Sequence, residues 1–326
     1  MATQTAFDKP SMHFGIDVSK AHLDIYCLEL NQSWHIPNTD KAIKAFIRAQ
    51  KAHLAQALIV VDGAGGLEYR CCELLARAGM RVHRANTYQV RNFIRSLGVQ
   101  AKTDRLDARH LATFARERAG RLRLFTQESR TQRRLQVLVQ RREELVRMHT
   151  AEQNRLQGPQ GPLLKRSINA ILRALEKEIE RIEAEIDKLV SADGELRKRR
   201  EILMKIKGIG KTIAHVLLAL MPELGTLTRR EAAALAGLAP FARDSGSMRG
   251  YRRTGGGRSQ VRSALFMAVL AALRAKESVI KDFYQRLRDA GKKPMVAAIA
   301  AARKLITIVN AKLRDALTTA KAPNPN

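Results

Sequence analysis

"HFGIDVSKAHLDIYCLEL", residues 13–30, reads as two strands, 13–18 and 23–30, turned into a hairpin through "SKAH". "WHIPN" at 34–38 is a short third strand, and "DKAIKAFIRAQKAH" at 40–53 repeats its apolar residues at helical spacing. "ALIVVDG" at 57–63 is a compact buried-strand run that ends in Asp62 and glycines. A helix around 66–79 and a short strand, "RVHRAN" at 81–86, follow. An opening meander that passes into alternating strands and helices indicates an α/β layered domain through about residue 120.

Beyond this point the composition changes. From 129 to 192 strand signals vanish and charged helix formers dominate, interrupted by "GPQGP" at 158–162. Ile168, Leu172, Leu175, Ile179, Ile182, Ile186 and Leu189 then alternate four and three residues apart, the apolar seam of a coiled coil. An antiparallel hairpin within the chain and a coiled coil between chains satisfy this pattern equally. From 195 onward the chain reads as helices joined by basic loops. Thr228 and Glu231 make a capping box, and Pro294 opens the last helix where a first-turn proline is tolerated. The domains are therefore drawn at 1–125, 126–194 and 195–326, with a frayed "APNPN" tail and no internal repeat.

The 326 residues carry 59 Lys and Arg against 31 Asp and Glu, a formal net charge of +28. That imbalance favours a polyanionic partner, because Lys and Arg on phosphates release condensed counterions. A membrane surface is the competing polyanion. No apolar run approaches the roughly 20 residues that span a bilayer, and the basic residues are not gathered on one amphipathic anchor. Nucleic acid is the expected partner. Cys27, Cys71 and Cys72 form neither a disulfide framework nor a CxxC zinc spacing, which suits a reducing cytoplasm. The eight histidines show no ligand cluster, and His110 and His215 read as helix-face residues.

Three stretches carry chemistry. "AKTDRLDARHLATFARER" at 101–118 sets Asp104 and Asp107 three apart on one helix face. Asp17 and Asp62 end two predicted strands, so four carboxylates can converge. Around one or two Mg²⁺ ions such a set cleaves phosphodiesters. The alternative is local pairing with Arg105 and Arg109, and strand-end aspartates serving as turn residues. "LAPFARDSGSMRGYRRTGGGRSQVRSALFMAVL" at 238–270 surrounds Ser245 and Ser247 with Arg243, Arg249, Arg252, Arg253, Arg258 and Arg262. Arginine forks bind phosphate bidentately and the "GGG" backbone admits close approach. The loop is a cradle that holds a nucleophilic serine, or one whose serines only donate hydrogen bonds to phosphate. "LMKIKGIGKTIAHVLLAL" at 203–220 fits a helix-hairpin-helix, with Gly208 and Gly210 turning the chain and Lys211 beside the amides that open the next helix; an ordinary tight turn is the alternative.

Together the segments "GIDVSK", "VVDGAGG", "KTDRLDARHLA", "IKGIGKTIAHVLLA" and "AGLAPFARDSGSMRG" followed by "RSALFMA" resemble one family over roughly residues 13–315. The chain is similar to the insertion-sequence transposases that join a RuvC-like DEDD domain to a serine-bearing domain, related to the Piv/MooV DNA invertases. The resemblance implies an RNase H-like N-terminal fold, a helical coiled-coil middle and an all-α C-terminal domain. It also implies site-specific recombination of double-stranded donor and target DNA, bridged by a structured guide RNA. Carried over residue by residue, Asp17, Asp62, Asp104 and Asp107 match the metal-binding acids and Ser245 matches the nucleophile. Asp62 stands where the family usually has glutamate. Acids and serine fall in different domains, which allows a site shared between protomers. Two duplexes imply dimers pairing into a tetramer, with the 168–189 seam as a candidate contact. The rivals are a metal-dependent junction resolvase that needs no serine, and an architectural protein that only binds nucleic acid.

Overall fold

Around the 13–30 hairpin a five-stranded sheet is built from β1 (Met12–Val18), β2 (His22–Cys27), β3 (Gln32–Pro37), β4 (Ala57–Val61) and β5 (Arg81–Arg84). The spatial order is β3-β2-β1-β4-β5; the first three pair antiparallel, and β1, β4 and β5 run parallel. The structure is a computed structural model that describes residues 10–63, 65–98, 104–241, 250 and 252–319, with backbone alone at 104–106 and 319. It divides into two units, Met1–Glu128 and Ser129–Asn326.

In the first unit the helices are α1 (Asp40–Ala49), α2 (Lys51–Ala55), α3 (Tyr69–Arg77), α4 (Thr87–Ser96) and α5 (Asp104–Arg118). Strand alternation sends Phe14, Ile16, Leu23, Ile25 and Ile59 to a core with Ile43, Phe46, Cys71 and Leu75. The opposite face sends Leu58 and Val60 against Val90 and Phe93 of α4 and Leu111, Phe114 and Ala115 of α5. β4, covered on both faces, is buried at every position, which is why it reads as a continuous apolar run. Trp34 stacks on Phe14 at 5.9 Å and meets Phe46 edge-on at 5.5 Å. Burial in this core pushes the Cys71 thiol up and Cys72 to about 12. Two details depart from the sequence expectation. β5 stops at Arg84 rather than at 86, because Asn86 turns to cap α4, accepting from the amides of Tyr88 and Gln89. α4 was not expected, although Val90, Phe93, Ile94 and Leu97 recur at helical spacing.

The second unit opens with two long helices, α6 (Arg130–Gln157) and α7 (Gly161–Ala192). They run antiparallel, tied by Arg142 to Glu183 at 2.6 Å and His149 to Glu176 at 3.0 Å. Ile182 and Ile186 join Leu135, Leu138, Val139 and Leu145 in one core, while Ile168 and Leu172 are also buried. Of the two alternatives the sequence left open, the antiparallel hairpin within the chain is the one the structure shows. An antiparallel hairpin needs only the turn at 158–160, so the seam finds its partner locally.

There follow α8 (Gly194–Met204), α9 (Lys211–Leu220), α10 (Arg229–Leu235), α11 (Ser259–Arg274), α12 (Val279–Asp289) and α13 (Pro294–Thr319), with a two-strand ladder of β6 (Pro240–Phe241) and β7 (Arg253–Thr254) before α11. The capping box forms: the Glu231 amide donates to Thr228 Oγ1 at 3.2 Å and the Thr228 amide to Glu231 Oε2 at 2.9 Å. α13 is long and apolar enough, by length and composition, to cross a membrane, contrary to the sequence expectation. Its Ala298, Ala301, Leu305, Ile306 and Val309 are buried in the helical core. Asn310 accepts from the Gly225 amide and donates to the Leu227 carbonyl. This is the pattern of a core helix, with Arg303 and Lys304 on its exposed side.

Candidate active site

Asp17 lies near the C-terminal end of β1, and Asp62 directly follows β4. The parallel ladder pairs Ile16 with Val61, and the Asp62 amide donates to the Ile16 carbonyl at 2.9 Å. The two acids are thus next neighbours across adjacent strands. Both face the same layer. On β4, Leu58 and Val60 pack on α5, so Asp62, two residues on, shares that side. On β1 the matching position is Gly15. A Cβ there would stand 2.0 Å from the Ala108 carbonyl oxygen and 2.4 Å from the Ala112 nitrogen. The missing side chain lets α5 lie directly on the sheet. Asp17 follows on the same face, and Asp107 is the residue before Ala108. The sequence reading missed Gly15, although a glycine inside an apolar strand is the signal for such an approach.

Asp62 Oδ1 is sealed from solvent without a hydrogen-bond partner among the described residues, a costly state for a carboxylate oxygen. An oxygen in that position suits a hard cation. Asp104 opens α5, but its side chain lies outside the described residues. Among the described residues no set of three or more His, Cys, Asp or Glu is drawn together closely enough to hold a metal. Asp17, Asp62 and Asp107 therefore share a layer without forming a closed ligand cage. Asp24, also missed, stands opposite Asp17 in the β1–β2 ladder, its Oδ1 2.8 Å from His35 Nδ1. The Arg109 guanidinium lies 5.8 Å from the Tyr26 ring centroid.

The serine stretch is flanked by β6 and β7, which pair Phe241 with Arg253. Ser245, Ser247, Arg243 and Arg249 lie outside the described residues. What is described is the base of the loop. A Cβ on Gly257 would stand 2.3 Å from the Gly237 nitrogen and 2.6 Å from the carbonyls of Ala234 and Leu235. One of the three glycines is thus needed by the protein's own packing, whereas Gly255 and Gly256 face open space. Arg258 makes a bidentate pair with Glu223 at 2.6 and 2.8 Å, and Arg262 donates to the carbonyls of Gly237 and Gly256. These two arginines brace the loop. Arg252 and Arg253 are exposed.

Between α8 and α9 the chain turns at Gly208, whose φ is +92°. A Cβ there would meet the Ala268 carbonyl of α11 at 2.2 Å, so position 208 requires glycine on both counts. Ile209 is buried beneath the turn. α9 begins after Gly210 with no side-chain cap. Lys211 pairs with Asp187 of α7. The same Asp187 lies 3.5 Å from His215 Nε2, and burial pulls His215 down to about 4.

Comparison with known proteins points one way. A family model described as "Transposase" matches residues 14–159, and another described as "Transposase IS116/IS110/IS902 family" matches residues 200–285. The chain is 27% identical over 313 residues to the pilin gene-inverting protein of Moraxella bovis, covering 93% of this chain and 96% of that protein. It is 32% identical over 152 residues to an uncharacterized 43.6 kDa protein of insertion element IS110 from Streptomyces coelicolor, covering 46% of this chain and 36% of that protein.

Proposed function

Because the chain belongs to the IS110-type insertion-sequence transposases, we propose that it recombines DNA through Ser245 and a divalent cation held by Asp17, Asp62, Asp104 and Asp107. The chain is a DNA recombinase of the transposase kind; the finer chemistry is the proposal. The donor set is all carboxylate oxygen, and one of those oxygens, on Asp62, is buried without a partner, which fits Mg²⁺. When bound, such a cation would polarise the scissile phosphate and offset the charge that gathers on it.

Ser245 supplies the nucleophile. Its Oγ bonds to phosphorus and gives up its proton, while the bond from phosphorus to the leaving strand breaks and that strand leaves as a hydroxyl. A hydroxyl from the partner strand then attacks the phosphoserine, and Ser245 recovers its proton. One phosphodiester is exchanged for another, so no nucleotide hydrolysis is required. Arg243, Arg249, Arg252 and Arg253 hold backbone phosphates beside the serine. Arg258 contributes through the brace to Glu223. Gly208, Gly210 and Lys211 form a helix-hairpin-helix whose uncapped α9 amides grip a further phosphate.

The net charge of +28 suits the holding of a structured guide RNA with double-stranded donor and target DNA, in dimers that pair as a tetramer. The observation that carries the reading is the shared layer of Asp17 and Asp62 at the ends of adjacent parallel strands, over which α5 is seated by Gly15. The test is a denaturing-gel assay for covalent protein–DNA adducts. Ser245→Ala is expected to abolish adducts and keep nucleic-acid binding, and Asp17→Asn to abolish cutting. Cutting that persists in Ser245→Ala would point to hydrolysis by water or to Ser247.

A further inference from the structure

Beyond Asp62 the ends of β4 and β5 open into a groove of about 450 Å³ lined by Gly63, Arg84, Ala85, Asn86, Thr87 and Tyr88. That volume lies in the range of clefts that take small organic molecules. Its floor is fixed. The Ala85 amide donates to the Val61 carbonyl at 2.8 Å, and Thr87 Oγ1 donates to the Gly63 carbonyl at 3.1 Å. Gly63 admits no side chain, because a Cβ would stand 2.7 Å from the Ala85 carbonyl oxygen.

The polar groups of this groove are mostly spoken for. Asn86 Oδ1 takes the amides of Tyr88 and Gln89, so the start of α4 is not free to seize a phosphate. Arg84 is paired with the fully buried Glu68, which also accepts from the Gly66 amide. What remains is the Tyr88 ring, 74% exposed, in a chain where aromatics are only 5% of residues. A ring left bare at the edge of a rigid cleft, one residue beyond an active-site acid, offers a flat apolar surface and few hydrogen bonds. That combination suits the face of a nucleobase, which every base presents.

We propose that this groove receives one unpaired DNA base next to the scissile phosphate, stacked on Tyr88, so that the phosphate is held still beside Asp62. The inference deepens the proposed cutting reaction and rests on that reading. A paired base keeps its faces covered by its neighbours, so the groove selects a nucleotide already out of the stack.

The test uses the full-length protein with short single-stranded DNA carrying 5-iododeoxyuridine, irradiated at salt high enough to suppress phosphate contacts. Trypsin then releases Tyr88 in the peptide spanning Ala85–Arg91. Crosslinking is expected at Tyr88, retained in Tyr88→Trp, reduced about tenfold or more in Tyr88→Leu, and absent with a fully paired duplex. An unlabelled 85–91 peptide, equal labelling by the duplex, or an undiminished yield in Tyr88→Leu would overturn the proposal. The crosslink requires no cutting. Loss of the Tyr88 crosslink with adducts intact sinks the groove alone, and loss of adducts with the crosslink intact sinks the chemistry alone.

Discussion

Single atoms decide the N-terminal layer. Gly15→Ala adds one methyl where the Ala108 carbonyl already stands, so α5 must rise from the sheet and carry Asp107 away from Asp17. Overpacking of this sort costs about 1–3 kcal/mol. Urea unfolding followed by fluorescence of Trp34, the only tryptophan in the chain, should show a lower midpoint; an unchanged midpoint would mean that α5 yields freely. The arginines around the serine stretch looked alike in sequence, yet their surroundings separate them. Arg252→Ala should reduce the slope of log affinity against log salt by about one. Arg258→Ala should leave that slope as in the parent protein, because its guanidinium is held by Glu223. Titration of labelled duplex DNA across a salt series measures both. Residue type and spacing made Asp17 and Asp62 visible in the sequence. Gly15, Asp24 and Glu223 were not singled out, because their importance depends on what the fold brings opposite them.

Among elements, the meeting of α6, α7 and α9 is the least expected. Arg142, Glu183, Asp187, Lys211 and His215 line a cavity of about 50 Å³ there, and neither His215 Nε2 nor Asp187 Oδ1 has a hydrogen-bond partner among the described residues. Burial holds His215 at about 4, below its ordinary 6.5, with Arg200 and Lys211 acting in the same direction and Asp187 and Glu183 opposing. The folded chain thus keeps His215 neutral, whereas the unfolded chain gains a proton once the pH drops below about 6.5. This contribution to stability is complete above about pH 6.5 and shrinks as the pH falls toward 4, by at most about 1.4 kcal/mol per unit. Urea midpoints of the parent and His215→Leu, compared at pH 7 and pH 5, should show a smaller drop in the variant; parallel drops would assign the acid sensitivity elsewhere. Sequence periodicity made the elements themselves readable. β1, β2, β4 and the 168–189 seam each repeat at the period of their structure. Periodicity is silent about partners, so the choice between an internal hairpin and a seam between chains waited on the packing of Ile182 and Ile186. α4 was legible in the same way and was passed over: Val90, Phe93, Ile94 and Leu97 recur three and four residues apart after the Asn86 cap.

At the scale of the whole chain, a mixed α/β unit is followed by a mostly helical one, and a large positive charge runs through both. The proposed chemistry is divided as well: acids in the first, the serine stretch in the second. Composition made the polyanionic partner legible. Composition could not supply the link between acids and serine, which came from the resemblance. All three thiols are buried, and burial raises each of them. Thiolate, not thiol, attacks an electrophile. The folded protein is therefore expected to leave a maleimide dye largely unreacted, as intact-mass spectrometry would show, and to take up three dyes once unfolded in guanidinium. The natural sequence is, in that respect, already a blank slate for spectroscopy. A cysteine introduced at a single exposed position can be tagged without first stripping out the native ones, and pairs of such tags can follow the two halves of the chain in solution while DNA is exchanged.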